Sequence, residues 1–251
     1  MFKKIFGLLI PVFAALTLQA QTVEELQAEA QTLEKQMNEV AALQKYKDIL
    51  KIQPTNVDAL VQASTLSVRE GYRQKDKAAK QTFYTAAKTY IDQALAAAPE
   101  SPEVNFTMAV VLGRMGMIAP AKEKVAAAKE VKKYIDLALK FKPEYGEAFH
   151  LLGKWNYELA NMSSLERTAA KVLFGGAPPG TMQDAIANYE KCRKIKPGYI
   201  INYYDLAVAY HQDNKDTEAM EVLRKLNGIR PVTYDDTLTK AEGKKMLEGM
   251  Q

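Results

Sequence analysis

Apolar residues recur along this chain at intervals of three and four, in stretches that end at proline. Five stretches share the cadence: YKDILKIQP, YIDQALAAAP, YIDLALKFKP, YEKCRKIKP and MEVLRKLNGIRP. They close at Pro54, Pro99, Pro143, Pro197 and Pro231, and in the first four a tyrosine (Tyr46, Tyr90, Tyr134, Tyr189) stands eight or nine residues earlier. Each reads as a helix that buries its tyrosine and the apolar residues after it. It stops where proline removes a backbone donor and disfavours helix in the residue before it. A second helical stretch follows each proline, so the pattern predicts an all-α chain of antiparallel helix pairs.

Ile200 to Thr233 is the clearest unit. Counted from Ile200, Tyr203 is fourth, Leu206 seventh, Ala207 eighth, Tyr210 eleventh, Ala219 twentieth and Pro231 thirty-second. That is the tetratricopeptide spacing of large and small residues over 34 positions. A small residue at the eighth position lets the second helix approach the first, and one at the twentieth admits the next repeat. The unit after Pro143 begins the same way with Phe149, Leu152 and Gly153, and the unit after Pro99 with Met108, Ala109 and Leu112. The unit after Pro54 is the weakest match. The prolines are separated by 45, 44, 54 and 34 residues, so only the last repeat has standard length. The extra residues of the first two fall in Ala- and Lys-rich runs without glycine, which predicts longer second helices at little cost. Residues before Pro54 supply an opening helix pair with a capping box at Thr22 and Glu25, and Asp235 to Met250 a closing helix.

The longest unit holds an insert, WNYELANMSSLERTAAKVLFGGAPPG. Ser163 and Glu166 form a second capping-box pattern, so a short extra helix is expected to begin near Leu165. Leu165, Ala169, Val172 and Leu173 lie at helical spacing. GGAPPG then breaks it, and Thr181 restarts a helix with Ala185, Tyr189 and Cys192 facing inward. The glycines invite a phosphate-loop reading, but Pro178 and Pro179 donate no hydrogen bond and Asp184 would compete for the positive helix end. No Lys-Ser/Thr pair opens the next helix. A rigid connector fits better. The whole is a tetratricopeptide-like α-solenoid of antiparallel helix pairs with one lengthened repeat.

Composition changes this picture little. Of the 251 residues, 47% are hydrophobic and 25% charged, and the formal net charge is +4. Two of those charges, Lys3 and Lys4, precede the apolar run from Ile5 to Leu18. With the small and polar residues ending at Ala20, this reads as a secretory signal peptide over residues 1–20. The run is shorter than the ~20 residues that a spanning helix needs. The mature chain, 21–251, is expected to be exported, periplasmic, free of a transmembrane segment and too weakly basic to take nucleic acid as a partner. Cys192 is the sole cysteine, so no internal disulfide forms, and its setting is that of a packed helix face. Neither histidine has metal-ligand spacing, and no nucleophile elbow, zincin or Walker motif is present. No cofactor and no catalysis are expected. Asp235 and Asp236 read as solvated turn residues.

The stretch from Pro143 to Asn214 resembles the regulator of microtubule dynamics family. The resemblance rests on LLG-W-YE, LER…A…LFG…PP and PGY…NY…LA as they stand in LLGKWNYE, LERTAAKVLFGGAPP and PGYIINYYDLA. It continues weakly through RPVTYDDTLTKAEGKKML and upstream rests on cadence. It implies a divergent tetratricopeptide-like domain. Relatives in the family are linked to microtubules and organelle contacts, and some to phospholipid. With a bacterial-looking export signal at its start, this chain is not expected to meet microtubules.

Repeat counting also places a candidate groove on the concave side. Arg69 and Arg114 lie fifteen residues beyond their prolines, and Lys154 lies on the corresponding helix of the next unit. His150 and His211 occupy positions five and twelve. Phe106, Val110, Tyr157, Tyr204 and Val208 fall at other inward positions. Together these residues would make an apolar trough with cationic points, suited to an acidic protein or peptide partner in the cell envelope, or alternatively to an anionic phospholipid or other hydrophobic ligand. Trp155, on the same helix, reads as a core anchor.

Overall fold

The computed structural model describes residues 21–176 and 180–250, so residues 1–20, read above as an export signal, and residues 177–179 of the connector lie outside the described residues. Among the described residues there are twelve helices and no strand. Five antiparallel pairs follow one another: α1 (Val23–Lys35) with α2 (Glu39–Ile52), α3 (Val57–Arg73) with α4 (Lys77–Ala97), α5 (Pro102–Met117) with α6 (Ala121–Phe141), α7 (Gly146–Ala160) with α9 (Met182–Ile195), and α10 (Ile200–Gln212) with α11 (Asp216–Gly228). Between α7 and α9 stands the inserted α8 (Ser164–Phe174), which packs back on α6, and α12 (Tyr234–Gly249) covers α10 and α11.

The prolines act as the pattern predicts. Gln53, Ala98, Lys142 and Lys196 each end a helix with φ between −142° and −128° and ψ between 67° and 87°, directly before a proline. This is the extended conformation that a following pyrrolidine ring imposes. At the other ends, Thr22–Glu25, Ser163–Glu166 and Thr233–Asp236 close reciprocal capping boxes, and Asn56, Asp76, Ser101 and Thr181 cap with one side chain each. The second helices α4 and α6 run to 21 residues against 14 in α9 and 13 in α11, so the long proline spacings are helix length.

Small residues set the packing. Ala109, Gly153 and Ala207, the eighth residues of their units, are buried, as are Ala63, Ala87 and Ala219. Tyr46 and Tyr189 are fully buried, while Tyr90 and Tyr134 are half-buried at the seams between pairs. Cys192 is fully buried, as its helix face implies. Trp155 is buried with its Nε1 donating to the Ala128 carbonyl at 2.7 Å, which pins α7 to α6.

Two features go beyond the sequence reading. The insert does not bury its apolar stripe: Leu165 is 69% and Val172 79% exposed, and Ala170 is the α8 side chain that is fully buried. The side chain of Leu173 lies outside the described residues. α8 is held to α6 by charge, Lys124 Nζ lying 2.8 Å from Glu166 Oε1, and to the end of α7 by Arg167 Nη2 donating to the Ala160 carbonyl at 3.1 Å. Its end is closed by Gly175 and Gly176, at φ 73° and 145°, whose N–H groups donate to Lys171 and Ala170 carbonyls. Those two N–H groups are therefore spent on the helix, which removes them from any phosphate cradle. Asp235 and Asp236 are half-exposed but both engaged: Asp236 Oδ2 accepts from the Thr233 N–H at 2.9 Å to close the α12 capping box, and Asp235 accepts from Arg73 Nε at 2.7 Å across 162 residues.

Candidate functional site on the concave face

That Arg73–Asp235 contact shows how tightly the solenoid curls, because it joins the end of α3 to the start of α12. The first helices α3, α5, α7 and α10 line the inner face. Glu39 is nearly fully buried there, and its carboxylate accepts from Arg69 Nη1 at 2.8 Å and from Arg73 Nη2. Arg73 also donates to Glu70 Oε1 at 2.7 Å and lies over the Tyr234 ring, 5.1 Å from its centroid. Arg73 thus has an aromatic ring on its face and three carboxylates along its edge; burial works against its charge, and Asp235 and Glu39 more than offset that desolvation.

A second cluster joins α7 to α10. Asp205, buried, faces His150 Nε2 at 3.0 Å and Lys154 Nζ at 3.4 Å. Burial alone would raise the Asp205 carboxyl, but the His150 hydrogen bond and the Lys154 charge outweigh it and leave the group below the usual carboxylate range. Desolvation likewise pulls Lys154 down, and Asp205 and Glu158 more than restore it. The His150 ring stands edge-on to Tyr199 at 5.2 Å. Tyr199 is half-buried, yet its phenol is pushed well up, chiefly by desolvation and then by Glu147. The Arg69 charge acts on the same phenol in the opposite sense.

The predicted groove residues separate into three groups. His150, Lys154, Tyr157 and Tyr204 come together with Asp205. Lys154 lies 5.3 Å from the Tyr157 centroid, the Tyr157 hydroxyl donates to Gln212 Oε1 at 2.6 Å, and Tyr204 feels Asp205 and Lys154. Val208 is half-buried on the same helix. Arg69 and Arg114 do reach the α3–α5 side, but not as two free cations: Arg69 is held by Glu39, whereas Arg114 stacks on Tyr72 at 4.3 Å. Three residues leave the trough. Phe106 packs on Tyr145 at 5.1 Å, Val110 packs into the α3–α5 core, and His211 stands exposed at the end of α10 beside Asp216 Oδ1, at 2.6 Å from its Nδ1. His150 is buried, its ring paired with Asp205.

Glu39, Arg73, Tyr199 and Asp205 were not visible as site residues in the sequence. Asp205 sits within an otherwise apolar helical run, YYDLAVAY, and a lone acid on a core-facing stretch is the one signal that pointed to it. A separate hollow of about 530 Å³ opens between α6 and α9, floored by Leu152, Trp155 and Asn156 and walled by Lys132, Asp184 and Asn188. Among the described residues no group of three His, Cys, Asp or Glu could hold a metal ion, and no helix is long and apolar enough to cross a membrane.

Comparison with solved structures returns the same architecture. The chain is similar to a tetratricopeptide protein of Thermus thermophilus, with TM-score 0.65 at 14% identity over 89% of this chain and all of that one. It is also similar to yeast Tom70, with TM-score 0.55 at 16% identity over 94% of this chain and 41% of that one. Regulator of microtubule dynamics protein 2 of Bos taurus is 27% identical over 68% of this chain and 42% of its own length. Regulator of microtubule dynamics protein 1 of Mus musculus is 27% identical over 68% of this chain and 56% of its own. The chain thus spans about half the length of these relatives. The family described as Regulator of microtubule dynamics protein 1-3 matches residues 26–251, from within α1 through the closing helix, and to that family this chain belongs.

Proposed function

We propose that this protein is a non-catalytic scaffold, exported to the periplasm, that holds a protein or peptide partner against its concave face. The observation that carries the reading is the Asp205 cluster. α7 and α10 present Lys154, Tyr157 and Tyr204 half-exposed around a buried, paired carboxylate, which is a polar and aromatic lining of the kind that orients an extended chain. Nothing in the cluster pairs a nucleophile with a base, so it favours binding over chemistry. The carrier reading loses ground on the same face: Arg69, Arg73 and Lys154 bring charge where acyl chains would need apolar width.

The test is site-specific photocrosslinking in the cell of origin. A photoreactive phenylalanine at Val208, on the inner helix α10, should trap a discrete protein, and the same group at Val172, on the outer face of α8, should not. Crosslinks from Val172 alone would move the interface to the insert. Fractionation of the same cells should place the chain in the periplasm with residues 1–20 removed.

A further inference from the structure

Two arginines at the rim, where α3 and α5 end, differ in one respect. Arg73 is complete: the Tyr234 ring covers its face, and Glu39, Glu70 and Asp235 line its edge. Arg114 has only the first half of that arrangement. The Tyr72 ring lies against its guanidinium at 4.3 Å, and among the described residues no carboxylate is within ion-pairing distance of it. A guanidinium stacked on an aromatic face keeps its donors in a fixed plane pointing outward, ready for bidentate contact with a carboxylate. Tyr72 is 46% exposed, and Met117, one turn beyond Arg114, is 53% exposed. The clamp is therefore open to solvent and bordered by apolar surface.

We propose that Arg114 and Tyr72 form the docking point for an acidic peptide segment, whose carboxylate completes the guanidinium edge while a neighbouring apolar or aromatic side chain lies on Tyr72 and Met117. The proposal rests on the concave-face reading and names the partner's chemistry. The chain supplies its own pattern for the contact. Tyr234 and Asp235, adjacent in sequence, place a ring and a carboxylate on Arg73 in this way, at 5.1 Å from the centroid and 2.7 Å from Nε. An anionic lipid fits less well, because the guanidinium plane lies against a ring rather than in a basic cluster.

A fluorescently labelled peptide copying residues 232–239, VTYDDTLT, is the probe, with VTYNNTLT as its uncharged counterpart. Fluorescence anisotropy at low salt should show binding of the acidic peptide to the protein. Affinity should fall at least ~10-fold with Arg114→Gln and with the uncharged peptide, and stay unchanged with Lys132→Gln on the outer face. Arg114→Lys, which keeps charge without the fork, should restore part of the loss. No binding, or equal affinity for both peptides, overturns the proposal even if Arg114→Gln fails to fold. Crosslinking at Val208 that survives Arg114→Gln alongside a silent peptide assay sinks the clamp and leaves the concave reading intact. Loss of the Val208 crosslinks on Arg114→Gln supports the clamp, whereas their absence from the otherwise unaltered protein sinks the concave reading itself.

Discussion

Gly153 on α7 lies flat against the ring of Tyr189 on α9, so that a Cβ at position 153 would stand 2.6 Å from Tyr189 Cδ1. The ring is fully buried and cannot step aside. Gly153→Ala should therefore destabilise the fold by about 1–3 kcal/mol through overpacking, although alanine is the better helix former. Gly228→Ala, with nothing within 4 Å of the new methyl, is the matched control and should be neutral or slightly stabilising. Urea unfolding followed by helical circular dichroism separates the two.

Glu39 gathers two arginines while only 3% of its side chain is exposed. Removing it strands Arg69 and Arg73 on the inner face. Glu39→Ala should cost about 3 kcal/mol, more than the sum of surface ion pairs of the same number. Asp235→Ala should cost less and act locally, raising amide hydrogen exchange in the first turns of α12. Equal protection in α12 with and without Asp235 would mean that packing on α10 and α11 alone holds it.

Burial pushes the Cys192 thiol up to about 12, so almost no thiolate exists near neutrality. The native protein should resist Ellman's reagent at pH 8 and titrate one thiol only after denaturation. Rapid native labelling would show that the α9 seam opens readily.

Glu166 is held at about 2, chiefly by its hydrogen bond to Lys124 and then by the Ser163 N–H. A carboxyl lowered in the native state stabilises that state fully above its unfolded value near 4.5, and the contribution is lost as pH falls from there toward about 2. Acid should therefore loosen α8 from α6 in that window, read as faster exchange of α8 amides. Glu166→Gln should weaken α8 at neutral pH and flatten the acid dependence.

The repeat cadence, the long second helices, the inserted helix and its capping box, and the anchoring of Trp155 all follow from local information. Proline just past a helix end, a small residue where two helices cross and a hydroxyl beside an acid act over a few residues, so the chain carries them in its spacing. Repeat counting also named His150, Lys154, Tyr157 and Tyr204, which share one inner face because 3.6-residue periodicity places them there. The sequence could not decide the curl. The path of the stacked repeats brings Arg73 of α3 to Asp235 of α12, 162 residues away. Arg69 meets Glu39 through the packing of α3 on the neighbouring α2, whereas Arg114 keeps a ring and, among the described residues, no carboxylate. The helices belong to sequence, whereas the pairing of charges across the solenoid is a property of its closure in space.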